Sequence, residues 1–223
     1  MPLSIAPRDK MKFIPILFST AMVKAILSGD KSMTRRVVSK RNSYCGSGLF
    51  DELNFKDVVR DGLKSDYQYL KAACDIDETR HRVYYKGEVG DVLWVRETFA
   101  EYHGCPIYKA DEKWKSIVDG DLVKWKPSLF MPKVHCRIFL EIVAVKAEQV
   151  NNISEEDAKN EGVAFNKEWM LMDYMIQMYR CITFKESFKS LWQKINGVES
   201  WNENPYVWAI CFKRIETPEN FLS

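Results

Sequence analysis

The chain has 223 residues, 46% of them hydrophobic, which suits one elaborated domain with an ordinary core and argues against disorder. Its 33 Lys and Arg against 31 Asp and Glu leave a formal net charge of +2, so any affinity for nucleic acid must come from local clusters of charge. The apolar runs are too short to span a bilayer and no charged-then-apolar signal pattern opens the chain, so a cytoplasmic protein without a membrane partner is expected.

Residues 1–10, "MPLSIAPRDK", read as a loose leader ahead of Met11. "FIPILFS" (13–19) reads as a strand near a sheet edge, because its internal Pro15 cannot donate to a ladder. "TAMVKAILSG" (20–29) reads as a helix, capped by Thr20, with Met22, Val23, Ile26 and Leu27 on one face and Gly29 as its stop. In the strand expected at "SMTRRVV" (32–38), alternation puts Thr34 and Arg36 on one face and Met33, Arg35 and Val37 on the other.

Residues 39–88 lose periodicity and gather Gly, Ser, Asn and Asp, as expected of an insertion with little regular structure and a short helix at "YQYLKAA" (67–73). "GDVLWVRETFA" (90–100) opens on a Gly-Asp turn and becomes a strand, with Trp94 and Arg96 on one face and Glu97 on the other. "PSLFMPK" (127–133) is too rich in proline for a helix or central strand and reads as a rigid loop. "HCRIFLEIVAVKAEQV" (135–150) carries the longest strand signal.

"ISEEDAKNEG" (153–162) marks a helix start, with Ser154 as N-cap, Asp157 in capping-box position and Gly162 as the stop. A second insertion occupies 163–183, an amphipathic helix 183–197 and a closing strand 206–215, in which Tyr206, Trp208, Ile210 and Phe212 alternate. Separated strands with few helices predict an α+β fold with a small β-barrel and flanking helices, in a single domain over 1–223.

The six cysteines form no C-x-x-C pair, and several lie inside predicted core elements, as free thiols do in a reducing compartment. His103, Cys105, His135 and Cys136 lack zinc spacing, so neither a metal nor a cofactor is expected.

The chemistry concentrates after the first helix. A threonine hydroxyl such as Thr34 is a poor nucleophile unless a neighbour takes its proton. Lys31 would serve if burial or the positive charge of Arg35 and Arg36 lowered its pKa, whereas a solvated basic turn would read the same way. Glu161 sits in the last turn of its helix, where the dipole disfavours a negative charge by roughly 0.3–1 kcal/mol, so something else is expected to hold it. Two K-W-K tripeptides, at 113–115 and 124–126, interleave cations with aromatic rings. That pattern suits single-stranded nucleic acid, and equally suits tryptophans packed under loops with solvated lysines.

With these segments in order, the chain resembles the ASCH family of the PUA-like superfamily, and most of all its long, phage- and prophage-associated branch. The signature G-x-K-x-x-T-x-R falls on Gly29, Lys31, Thr34 and Arg36, followed by "GDVLWVRET", "PSLFMPKVHCRIFLEI", "ISEEDAKNEGV" and "NPYVWAICFKRI". The resemblance implies a PUA-like barrel with a cleft for a nucleobase or RNA. The chain is similar to short bacterial ASCH amidohydrolases that remove the acetyl group from N(4)-acetylcytidine. That similarity implies Lys31, Thr34 and Glu161 as the catalytic unit. Lys31 would activate the Thr34 hydroxyl, and Glu161 would pass a proton to the leaving amine and then activate water. Arg35, Arg36, Trp94, Arg96, Trp125 and Lys126 are the expected substrate contacts, with Arg36 or a backbone N–H steadying the oxyanion and Trp94 stacking on the base or walling it in. The expected partner is a modified nucleoside or single-stranded RNA, and a monomer is favoured. The alternative is a non-catalytic RNA-binding module, in which Lys31, Arg35 and Arg36 hold phosphates and the tryptophans stack bases.

Overall fold

In the computed structural model, which describes residues 11–38, 53–60, 68–74, 80–116, 123–164 and 171–222, strands outnumber helices. In chain order the elements are β1 (Phe13–Leu17), α1 (Thr20–Ser28), β2 (Met33–Val37), β3 (Leu53–Arg60), β4 (Gln68–Cys74) and β5 (Arg80–Val83). They continue with β6 (Val92–Arg96), β7 (Phe99–Tyr102), β8 (Cys105–Tyr108), β9 (Phe139–Gln149), α2 (Glu155–Asn160), β10 (Leu171–Asp173), β11 (Met178–Cys181), α3 (Phe184–Asn196) and β12 (Tyr206–Ile215). The main sheet is five-stranded and mixed, in the order β1-β6-β9-β12-β2. β1 runs parallel to β6, whereas β6 with β9 and β12 with β2 are antiparallel. The fold class is α+β, and no helix among the described residues is long and apolar enough to cross a membrane.

The chain divides into two compact units, one of Met1–Lys24, Val89–Val143 and Lys213–Ser223, the other of Ala25–Glu88 and Ala144–Phe212. The first packs Val92, Trp94, Phe139 and Phe221 into a core, with Phe221 edge-on to Phe139 at 4.7 Å and to Phe13 at 5.2 Å between ring centres. Pro15 lies on the edge strand β1, where its missing N–H removes no ladder bond, as the sequence predicts. The second unit buries Val150, Ile153, Ala158, Val163, Leu171, Phe188, Trp192, Trp201 and Val207. The apolar face of α3 supplies Phe188 and Trp192 to that core, and Thr183 with Glu186 forms a complete capping box at its start.

Three local expectations are corrected. Ser19, not Thr20, caps α1: its carbonyl accepts from the Val23 N–H (2.9 Å) and its hydroxyl from the Met22 N–H (3.4 Å). The helix expected at 67–73 is instead strand β4, paired antiparallel with β3 on one side and β5 on the other. Two neighbouring ladders outweigh the local helix propensity of the Leu-Lys-Ala-Ala run, and the 39–88 insertion therefore contains a three-stranded sheet. Residues 1–10, 39–52, 61–67, 75–79, 117–122, 165–170 and 223 lie outside the described residues. At α2 the Ser154 hydroxyl accepts from the Asp157 N–H at 3.1 Å, but the Asp157 carboxylate turns to Arg35 and Lys146 rather than back to the cap.

Candidate active site

The second unit brings the two helix ends of the sequence signature together. α1 stops at Gly29, whose φ of 86° only glycine adopts freely, and the Lys31 N–H then bonds to the Ala25 carbonyl at 3.0 Å. α2 stops at Gly162, with φ 75°. Lys31 and Glu161 face each other across an antiparallel backbone bridge, and the next N–H, of Ser32, donates to the Asn160 carbonyl at 3.0 Å. A Cβ on Gly162 would stand 2.8 Å from the Lys31 Cβ and 3.0 Å from the Ala25 Cβ, so the close approach requires glycine.

Lys31 is 3% exposed and Glu161 4%. The Lys31 Nζ donates to Glu161 Oε2 at 2.8 Å and to the Glu161 carbonyl at 2.7 Å. Arg35 Nη1 donates to the other carboxylate oxygen, Oε1, at 3.2 Å. Both oxygens of Glu161 thus accept hydrogen bonds from basic side chains, which explains a carboxylate at a helix C-terminus that the dipole disfavours.

Arg35 itself is enclosed by acids. Its Nε and Nη2 donate to Glu148 Oε1 at 2.9 and 2.6 Å, Nη2 donates to Asp157 Oδ2 at 2.7 Å, and Nη1 also reaches Met33 Sδ at 3.2 Å. Its guanidinium stands 5.8 Å from the centre of the Phe188 ring. Lys146 closes the group from the more exposed side, pairing with Asp157 at 3.1 Å and Glu148 at 3.0 Å. The guanidinium expected to meet substrate is therefore engaged with the protein's own carboxylates.

Electrostatics single out Lys31. Burial pushes its pKa down; the Glu161 carboxylate opposes that, while Arg36 and Arg35 add to it. Burial also works against the Arg35 charge, but Glu161, Glu148 and Asp157 outweigh it and raise the Arg35 pKa.

Thr34 is buried on the opposite β2 face from Arg35, opposite Ile210, and Arg36 shares its face opposite Trp208. Among the described residues the Thr34 hydroxyl makes no hydrogen bond, while the Lys31–Glu161 contact is made directly. The Trp208 ring centre lies 6.1 Å from that of Tyr85, whose phenol is pushed up to about 12 by burial against the opposing Arg36 charge. Trp208 and Tyr85 thus put two aromatic rings on the side of β2 that carries Thr34 and Arg36. Sequence reasoning did not select them, although the alternation of β12 does place Trp208 and Ile210 on one face; only the register against β2 was missing.

The other expected contacts belong to the first unit. Trp94 is part of its core, with Phe221 at 6.0 Å, and Arg96 lies over the Trp94 ring at 5.5 Å while its Nη2 donates to the Leu129 carbonyl. Lys126 pairs with Glu101 at 3.0 Å, and Trp125 packs edge-on against Trp114 at 5.1 Å. A polar cluster unremarked in the sequence joins the buried Glu97 to Arg137 at 2.8 and 3.0 Å and Arg137 to Asp111 at 2.7 Å. Among the described residues no group of three or more His, Cys, Asp or Glu is placed to hold a metal ion. No family model, no curated protein and no solved structure matches the chain.

Proposed function

We propose that the protein is an amidohydrolase of the ASCH type, with a PUA-like barrel built on the five-stranded sheet, and that it removes an acyl group from a modified cytidine such as N(4)-acetylcytidine. The observation that carries this reading is the buried Lys31–Glu161 contact at 2.8 Å, with Arg35 on the second carboxylate oxygen. A lysine that only held phosphates would gain nothing from a buried acid on its amine. A lysine whose pKa is lowered by burial and whose amine touches a carboxylate is equipped to take up and pass on a proton.

In the proposed reaction neutral Lys31 takes the Thr34 hydroxyl proton through one bridging water as Thr34 Oγ1 attacks the acyl carbonyl carbon. Arg36, on the same face as Thr34, steadies the oxyanion. The C–N bond then breaks, and the proton passes from Lys31 through Glu161 to the departing N4 amine, leaving the acyl group as an ester on Thr34. Glu161 next removes a proton from water, which attacks the ester. The carboxylic acid leaves, and the proton returns to Thr34. Trp208 and Tyr85 supply aromatic surface for the base beside Thr34 and Arg36.

The test is a panel of N4-acylated cytidines, offered as nucleosides and within oligonucleotides, with release of cytidine and free acid followed by mass spectrometry. Release by the wild type, and its loss in Lys31→Met and Glu161→Gln, is expected. No release from any member of the panel overturns the proposal.

A further inference from the structure

The two K-W-K tripeptides have no part in that mechanism, yet the fold of the first unit brings them together. Trp114 sits on a single 3₁₀ turn, Lys113–Ser116, and Trp125 precedes Lys126, whose backbone exchanges hydrogen bonds of 2.7 and 3.2 Å with Phe99. The two rings meet edge to face, with centres 5.1 Å apart and planes at 73°. Both are only half-buried, and the Lys109 ammonium stands 5.9 Å from the centre of the Trp125 ring.

The charge around the rings is uneven. Glu112 is taken by Lys24 at 2.7 Å and Lys115 at 2.8 Å, and Glu101 by Lys126 at 3.0 Å. Among the described residues Lys109, Lys113 and Lys124 are exposed and have no carboxylate within ion-pair distance. Two tryptophans packed only to support loops would be covered, whereas both rings here are part-exposed and one has an ammonium beside it.

We propose that Trp114 and Trp125, flanked by Lys109, Lys113 and Lys124, form a binding surface for single-stranded nucleic acid. Unpaired bases stack on the open parts of the two rings, and the three lysines meet successive phosphates. A duplex keeps its bases stacked on one another and has none to offer the rings. This surface belongs to the first unit, and its existence does not depend on the hydrolase reading.

The experiment is fluorescence anisotropy of the full chain with labelled oligo(dT) and oligo(rU) of about ten nucleotides, a length within the usual single-strand site size. Three phosphate contacts predict a slope of log K against log salt of about −2 for a single strand. The Lys113→Glu/Lys124→Glu double variant, which replaces two exposed side chains, is expected to bind at least about tenfold more weakly with a shallower slope. Trp125→Ala should lose roughly 5- to 100-fold. Equal binding of DNA and RNA means that base faces and phosphates alone are read, and a preference for RNA means that the 2′-hydroxyl is read as well. Thr34→Val should bind as the wild type does, whatever it does to turnover. Absence of binding at low salt, affinity unchanged in the lysine variant, or equal competition by a duplex of the same length overturns the proposal.

Discussion

Gly162 comes so close to Lys31 that a single added methyl group would lie 2.8 Å from the Lys31 Cβ. That approach sets the Lys31–Glu161 contact, because Gly162 is the residue immediately after Glu161. Gly162→Ala therefore carries two penalties, a left-handed φ of 75° and an overlap with Lys31 and Ala25. The expected loss is about 1–3 kcal/mol, seen as a drop in Tm of roughly 2–12 °C. Turnover should fall further than the loss of folded protein explains. Unchanged Tm and activity would show that the contact tolerates a wider spacing.

Arg35 is expected to be a structural clamp and not a substrate contact, since three carboxylates surround it. Replacing it by Met leaves Glu148, Asp157 and Glu161 with one cation fewer, and removing one partner from a buried ionic group costs about 3–5 kcal/mol. Arg35→Lys should recover little of this, because an ammonium cannot reproduce a fork in which Nε and Nη2 serve Glu148, Nη2 also serves Asp157, and Nη1 serves Glu161. Urea denaturation of both variants measures it. An Arg35→Lys protein as stable as the wild type would refute the clamp.

Much of this arrangement was legible in the sequence. The strands containing Trp94, Ile142 and Trp208, the Ser154 cap and the two glycine stops all follow from periodicity and backbone chemistry. Lys31 and Glu161 were legible as candidates, one beside two arginines and the other misplaced for its helix dipole. Their contact was not, because it depends on two helix ends 130 residues apart meeting across one bridge. The engagement of Arg35 needed the position of Glu148 on β9, and the aromatic neighbours of Thr34 needed the register of β12 on β2. In the 39–88 segment local propensity pointed to a helix where long-range pairing makes a strand.

Lys31 should titrate below the ordinary amine value of 10.5, because burial disfavours its charge. Between the lowered folded value and 10.5 the unfolded chain binds the extra proton, so this group makes stability rise with pH across that window. Its penalty is fully present below the folded value. Glu161 opposes the shift, so Glu161→Gln should lower the Lys31 pKa further. NMR titration of lysine side chains in the wild type and Glu161→Gln, with Lys31→Met for assignment, checks both directions without any substrate. A Lys31 signal that titrates at or above 10.5 in the wild type would contradict them.

The central claim is that Thr34 carries the acyl group while Lys31 and Glu161 move its protons. Rapid-quench intact-mass analysis and peptide mapping of wild-type protein mixed with excess N(4)-acetylcytidine measure this directly. A transient acetyl adduct on Thr34 is expected in the wild type, and its formation should slow in Glu161→Gln, which lacks the relay to the departing amine. The account predicts no adduct in Thr34→Val, together with turnover at least about a thousandfold below the wild type. Turnover by Thr34→Val at the wild-type rate, with no adduct in any variant, would contradict it.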